Sequence, residues 1–111
     1  MKNLLLLFST LFIFSCQDDV PPLTITECID DEIGVFASQA CIGSGDLTKW
    51  NFAGEDVFCF NQGTCISDGQ AFIYDADCYL ICILGGIQGE QICDGLNWSS
   101  NAEFIGLIYQ Y

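Results

Sequence analysis

The groups able to do chemistry in this chain are sulfur and carboxylate, almost to the exclusion of everything else. Its 111 residues carry eight cysteines and fifteen acids against two bases, and no histidine. Both bases are lysines, Lys2 and Lys49, so arginine is absent too. Without histidine, Ser-His-Asp and Cys-His catalysis lack their base, and the commonest metal ligand is missing. A formal net charge of −13 argues against nucleic acid, whose phosphates are gripped by lysine and arginine. Charged partners of such a chain should be cationic, drawn in by its field and released by salt.

Seven of the cysteines, Cys28, Cys41, Cys59, Cys65, Cys78, Cys82 and Cys93, fall in the body of the chain. At this density in a small exported domain they read as a disulfide framework. Three bridges leave one thiol over, and the spacing leaves 105 arrangements open. A metal-thiolate site would want CxxC-like pairs, often with histidine; the tightest spacings here are Cys78-x3-Cys82 and Cys59-x5-Cys65. The lack of CxxC also disfavours a redox enzyme. A reactive or intermolecular leftover thiol is the alternative to a purely structural set. No cofactor and no metal is expected.

Cys16 differs. Lys2 precedes an apolar run from Leu4 to Phe14, too short for the roughly 20 residues that span a bilayer. A positive start, a short apolar middle and Ser15 before the cut describe an export signal over residues 1–15. Ile13-Phe14-Ser15-Cys16 resembles the lipobox of bacterial lipoproteins, in which the cysteine takes a diacylglycerol thioether and becomes the mature N-terminus. Two or more acyl chains would anchor it stably, at about 0.8 kcal/mol per buried methylene. Gln17-Asp18-Asp19 is similar to the short acidic tag that sends Bacteroidetes-type lipoproteins to the cell surface. The expected location is therefore the outer membrane, lipid-anchored and displayed outward, with a periplasm-facing anchor as the alternative. Residues 16–26, with Pro21 and Pro22, read as a tether.

What remains, residues 27–111, is enough for one small domain. Thr24 and Glu27 fit a capping box, acids load the first turns, and Ile29, Ile33, Phe36, Ala37 and Ala40 fall on one face. This predicts a helix from Glu27 to Ala37; if it is continuous, Cys28 and Cys41 lie too far apart to bridge. Leu47 to Phe52 and Val57 to Phe60 flank Ala53-Gly54-Glu55-Asp56 as a hairpin. Ala71 to Tyr74 and Tyr79 to Leu84 flank Asp75-Ala76-Asp77-Cys78 as a second, with Ile73 facing Leu80 and Ala71 facing Cys82. Apolar on both faces, that second hairpin should be central, between a helix and loop or disulfides. Gly85 to Gly89 is a loop. Ser100 and Glu103 repeat the capping box, and Phe104, Leu107, Ile108 and Tyr111 make a helical stripe. The fold class is α+β: an antiparallel sheet of about four strands in two hairpins, flanked by N- and C-terminal helices and stapled by disulfides.

The segments CIDDEI, TKWNFAGEDVFCF, AFIYDADCYLICILGGIQG and NAEFIGLIY, in that order, resemble a family of small bacterial lipoproteins whose domain has no assigned function. That resemblance implies no catalytic or binding residues.

Two constellations remain as candidate sites. Asp75 and Asp77 put two carboxylates in one turn, as a calcium loop would, although aspartates also favour turns by bonding their own backbone. Trp50, Phe52 and Trp98 could form an aromatic patch for a sugar or a protein. The function expected is that of a lipid-anchored, non-catalytic binding or structural protein of the envelope, its partner a cationic protein or a glycan. A small inhibitor or glycan-binding accessory lipoprotein is the alternative.

Overall fold

The computed structural model describes residues 24–111. The expected export signal over residues 1–15, Cys16 and the start of the expected tether lie outside the described residues. Helix α1 spans Glu27–Phe36 and is followed by strands β1 (Asp46–Phe52), β2 (Glu55–Asn61), β3 (Gln70–Tyr74) and β4 (Leu80–Gly85). A small hairpin, β5 (Ile92–Cys93) and β6 (Leu96–Asn97), a short helix α2 (Trp98–Asn101) and a last strand β7 (Ala102–Gln110) complete it. The five long strands form one antiparallel sheet in the order β4-β3-β2-β1-β7, and β5 pairs with β6 apart from it.

The first helix forms where the sequence puts it, and so does the first hairpin apart from its turn, which is only Ala53-Gly54: Glu55 and Asp56 already belong to β2, with Trp50 opposite Val57 and Phe52 opposite Glu55. The cap of α1 differs. Thr26, not Thr24, is its N-cap, and the Thr26 hydroxyl donates to the Ala76 carbonyl at 2.7 Å instead of capping the helix. That contact helps tie α1 to the turn after β3.

Three expectations are corrected. The segment from Ser100 is not a helix beyond Asn101 but the edge strand β7, antiparallel to β1. Asn97, not Ser100, caps α2, its side chain accepting from the Ser100 amide. Because β7 covers the free edge of β1, the sheet's middle is β2, and the β3–β4 hairpin sits at the opposite edge rather than at the centre. That hairpin also pairs two residues out of the expected register: Ile73 faces Cys82 and Ala71 faces Leu84. The Asp75 amide donates to the Tyr79 carbonyl, so the loop is longer, and Cys78 lies in it at φ 68°. A shift of two preserves which face each side chain takes.

Each sheet face has its own core. On one, Ile29 and Phe36 of α1 pack against Leu47, Phe58 and Phe60, with Phe36 in ring contact with Phe60, Phe72 and Tyr111. Burying one such large apolar side chain contributes about 1.5–3 kcal/mol. On the other face, Phe52, Val57, Cys59, Ile73 and Leu84 pack with Cys93 beneath the β5–β6 hairpin and Trp98.

Three disulfides staple the covers down. Cys28–Cys78 fastens α1 to the β3–β4 turn, and Cys82–Cys93 fastens the small hairpin to β4. Cys41–Cys65 joins the loop before β1 to the loop after β2. The helix ends at Phe36, short of Cys41, and Cys28 and Cys41 take different partners. Cys59 is the leftover thiol, and it is buried.

Candidate binding surface

The aromatic residues singled out in the sequence come together. Alternation along β1 sends Trp50 and Phe52 to the face away from α1, and α2 carries Trp98 back over them. Trp98 stacks on Phe52 at 5.0 Å between ring centroids and lies 5.2 Å from Trp50. Trp50 is held by its indole N–H, which donates to the Thr48 hydroxyl at 2.8 Å. Phe52 is buried and the two tryptophans are half-buried, so much of this cluster is core. Its open side is a residue the helical reading of the C-terminus hid. Phe104 of β7 sits edge-on to Trp50 at 5.3 Å with 54% of its surface exposed, and Leu107 further along is exposed too.

Beside this cluster two tight turns converge. Ala53 and Gly54 join β1 to β2 at φ 52° and 94°, and Asp94 and Gly95 join β5 to β6 at φ 51° and 81°. Positive φ at both central residues is the turn whose twist matches a two-residue hairpin. Between the turns lies a slot of about 150 Å³ with a buried floor of Phe52 and Val57, Ile81 on one wall, and Ala53, Glu55, Asp94 and Leu96 at the rim. The Asp-Gly pair between Ile92-Cys93 and Leu96-Asn97 was a readable hairpin signal, and it would have located half of this slot.

A wider cleft of about 490 Å³ opens at the far edge of the sheet, among Asp68, Gln70, Ile83, Ile87 and Glu90 and the glycine pair at the end of β4. Gly85 and Gly86 are needed there: both have φ near +80°, and a Cβ on Gly85 would meet the Gly69 carbonyl oxygen at 2.8 Å. The loop read from the sequence is thus a tight return, closed by paired hydrogen bonds between Gly85 and Glu90.

The Asp75 carboxylate is engaged with the turn itself. The Asp75 Oδ1 accepts from the amides of Asp77 at 2.9 Å and Tyr79 at 3.0 Å. No group of three or more acids or cysteines placed to hold a metal occurs among the described residues. Cys59 is equally engaged. Burial pushes its thiol up to about 12, the Thr48 hydrogen bond offsets part of this, and Asp46 adds to it. At neutral pH it is a thiol inside a core and not a nucleophile.

Charge is distributed unevenly. The described residues hold thirteen acids (the chain's fifteen less Asp18 and Asp19) and one base. That base, Lys49, is only 8% exposed. Its ammonium lies 3.6 Å from Asp56, donates to the Thr24 carbonyl and sits 5.8 Å from the Phe58 ring centre. The accessible charge of the domain is therefore carboxylate.

A five-stranded antiparallel sheet with one helical and one hairpin cover, three disulfides and a carboxylate-lined apolar surface defines a small stapled α+β domain. The chain belongs to the family described as Domain of unknown function (DUF6970), whose family model matches residues 38–111. That stretch contains the whole sheet, while α1 precedes it. No curated protein and no solved structure matches the chain.

Proposed function

We propose that this protein is a non-catalytic binding module of the bacterial envelope, held to the outer membrane through lipid on Cys16 and displayed at the surface. Its partner is a protein that presents positive charge. The observation that carries this reading is the one-sign surface: thirteen carboxylates on the described residues, with the single base folded away. Such a field speeds the arrival of cationic partners and repels anionic ones. The lipobox at Ile13 to Cys16 and the acids that follow it support the anchor and the outward display. The size of the domain and its lack of histidine and arginine favour binding over turnover.

The test is capture on the immobilised mature domain of a panel of basic and acidic proteins, at about 50 and 500 mM salt. Retention of basic proteins that salt abolishes is the expected result. Equal retention of acidic proteins, or turnover of a substrate, would remove the proposal. Mass spectrometry of material from a producing bacterium tests the anchor separately, through the acylated Cys16 peptide. The exposed Phe104 beside Trp50 and Trp98 favours a second reading as a glycan-binding accessory, since aromatic faces stack on sugars. A glycan array decides that one.

A further inference from the structure

The slot between the two turns has the dimensions and the chemistry of a socket for one side chain. Its volume of about 150 Å³ is too small for an ordinary small-molecule ligand, whose sites run to roughly 300–1,000 Å³. Phe52, Val57 and Ile81 offer an apolar sleeve, and Glu55 and Asp94 set two carboxylates at its exposed mouth. An aliphatic stem that ends in a cation matches both halves: methylenes against the sleeve, charge among the acids. No described residue plays that part, because the one base among them, Lys49, lies in β1 on the other face of the sheet, 3.6 Å from Asp56.

Resting on the cationic-partner reading above, we infer that this slot receives a lysine or arginine side chain from a protein partner. The partner's neighbouring residues lie across Trp98, Trp50 and Phe104. A protein is favoured over a free polyamine because the aromatic face continues past the slot to exposed Phe104 and Leu107, area that only a larger ligand covers. The arrangement is that of an interface anchor, one side chain seated in a pocket and ringed by apolar contact.

The chain supplies its own reporter. Its two tryptophans, Trp50 and Trp98, both belong to this cluster, and Trp98 stacks on the slot residue Phe52. Titrating the mature domain with a capped Val-Lys-Val tripeptide should shift tryptophan emission saturably. The norleucine counterpart, which keeps the stem and loses the charge, should bind about tenfold more weakly. So should lysine peptide on the Glu55→Gln, Asp94→Asn variant, in which asparagine keeps the left-handed turn. Asp68→Asn with Glu90→Gln, at the other cleft, should bind as the parent does. Spermidine serves as the polyamine probe and should bind more weakly than the tripeptide. Undiminished peptide binding by the Glu55→Gln, Asp94→Asn variant, or spermidine binding without peptide binding, overturns the inference. If that variant still retains basic proteins as the parent does, the slot is wrong and the cationic-partner reading survives. If the parent retains none, the reading beneath it has failed.

Discussion

Replacing Cys28 and Cys78 by alanine should cost about 3.5 kcal/mol of stability, a value set mainly by the unfolded chain. The two cysteines are 50 residues apart, and closing a loop of that length alone gives about 4.1 kcal/mol. Cys41–Cys65, 24 residues apart, lies inside that loop and short-circuits it to about 26 residues (50 less 24), which lowers the outer bridge to about 3.5 kcal/mol. Thermodynamic closure then fixes the inner bridge at about 3.4 kcal/mol alone and about 2.8 once the outer one is in place. Losing both should cost about 6.9 kcal/mol, some 0.6 more than the two separate losses combined. Packing lost with each sulfur pair cancels in this cycle because the bridges join different segments: α1 to the β3–β4 turn, and the loop before β1 to the loop after β2. The assay is urea unfolding near pH 5, where Cys59 released by unfolding stays protonated and does not reshuffle the remaining bridges. The slope with denaturant should rise as well, since an unlinked unfolded chain exposes more surface. A cost below about 1 kcal/mol for the outer bridge, or a coupling of opposite sign, would refute unfolded-chain constraint as the contribution of these bridges.

Four further outcomes are expected. Ala53→Asn should raise stability by about 0.5–1 kcal/mol in urea melts, because alanine at φ 52° occupies a region that asparagine tolerates better; no gain would mean the turn is unstrained. Native Cys59 should resist thiol reagents at pH 8 and yield one titratable thiol only after unfolding without reductant, as a buried thiol pushed up to about 12 requires. Burial first, then Tyr109 and Glu32, push the Tyr111 phenol up to about 12, and its hydroxyl donates to the Ile33 carbonyl at 2.6 Å. The native state therefore holds that proton after the unfolded chain has lost it near pH 10, so stability falls as pH rises from 10 toward 12; Tyr111→Phe should shallow this alkaline limb in pH-dependent melts and cost about 1 kcal/mol near neutrality. Raising salt from about 20 to 500 mM should raise the melting temperature by several degrees, since it screens one-sign repulsion; a fall would show that the surface acids are not mutually destabilising.

The first helix, both long hairpins and the disulfide character were legible because each rests on a local pattern. The C-terminus was not, and the reason is geometric. Trp50 and Thr48, two apart on β1, face Phe104 and Leu107, three apart on β7, because the pairing slips between Lys49 and Trp50. A second slip between Leu47 and Thr48 follows. Such bulges stretch the two-residue alternation of a strand to a spacing of three, which a helix also produces. With Ser100 and Glu103 in front as an apparent cap, the stripe satisfied the spacing and capping criteria of a helix. Only the content of aromatic and β-branched residues in AEFIGLIYQ pointed to a strand. The bulges serve a purpose of their own, since they disfavour edge-to-edge pairing on a strand that carries a single charge, Glu103.

The candidate surface divides along the same line. Trp50 and Phe52 could be placed together from alternation alone, and Trp98 was named with them, but Phe104 was lost with the misread strand. Glu55 and Asp94 had no local mark that set them apart from the other acids; their meeting depends on Cys82–Cys93 holding the small hairpin over the sheet. Composition nevertheless carried the decisive electrostatic fact one step short of position. Two lysines in the sequence left open a basic spot on the folded surface. The fold closes it, because the one base among the described residues lies 8% exposed beside Phe58 and Asp56. No base among the described residues is placed to neutralise Glu55 and Asp94, so within them the occupancy of that slot is a question of partner and salt and not of internal packing.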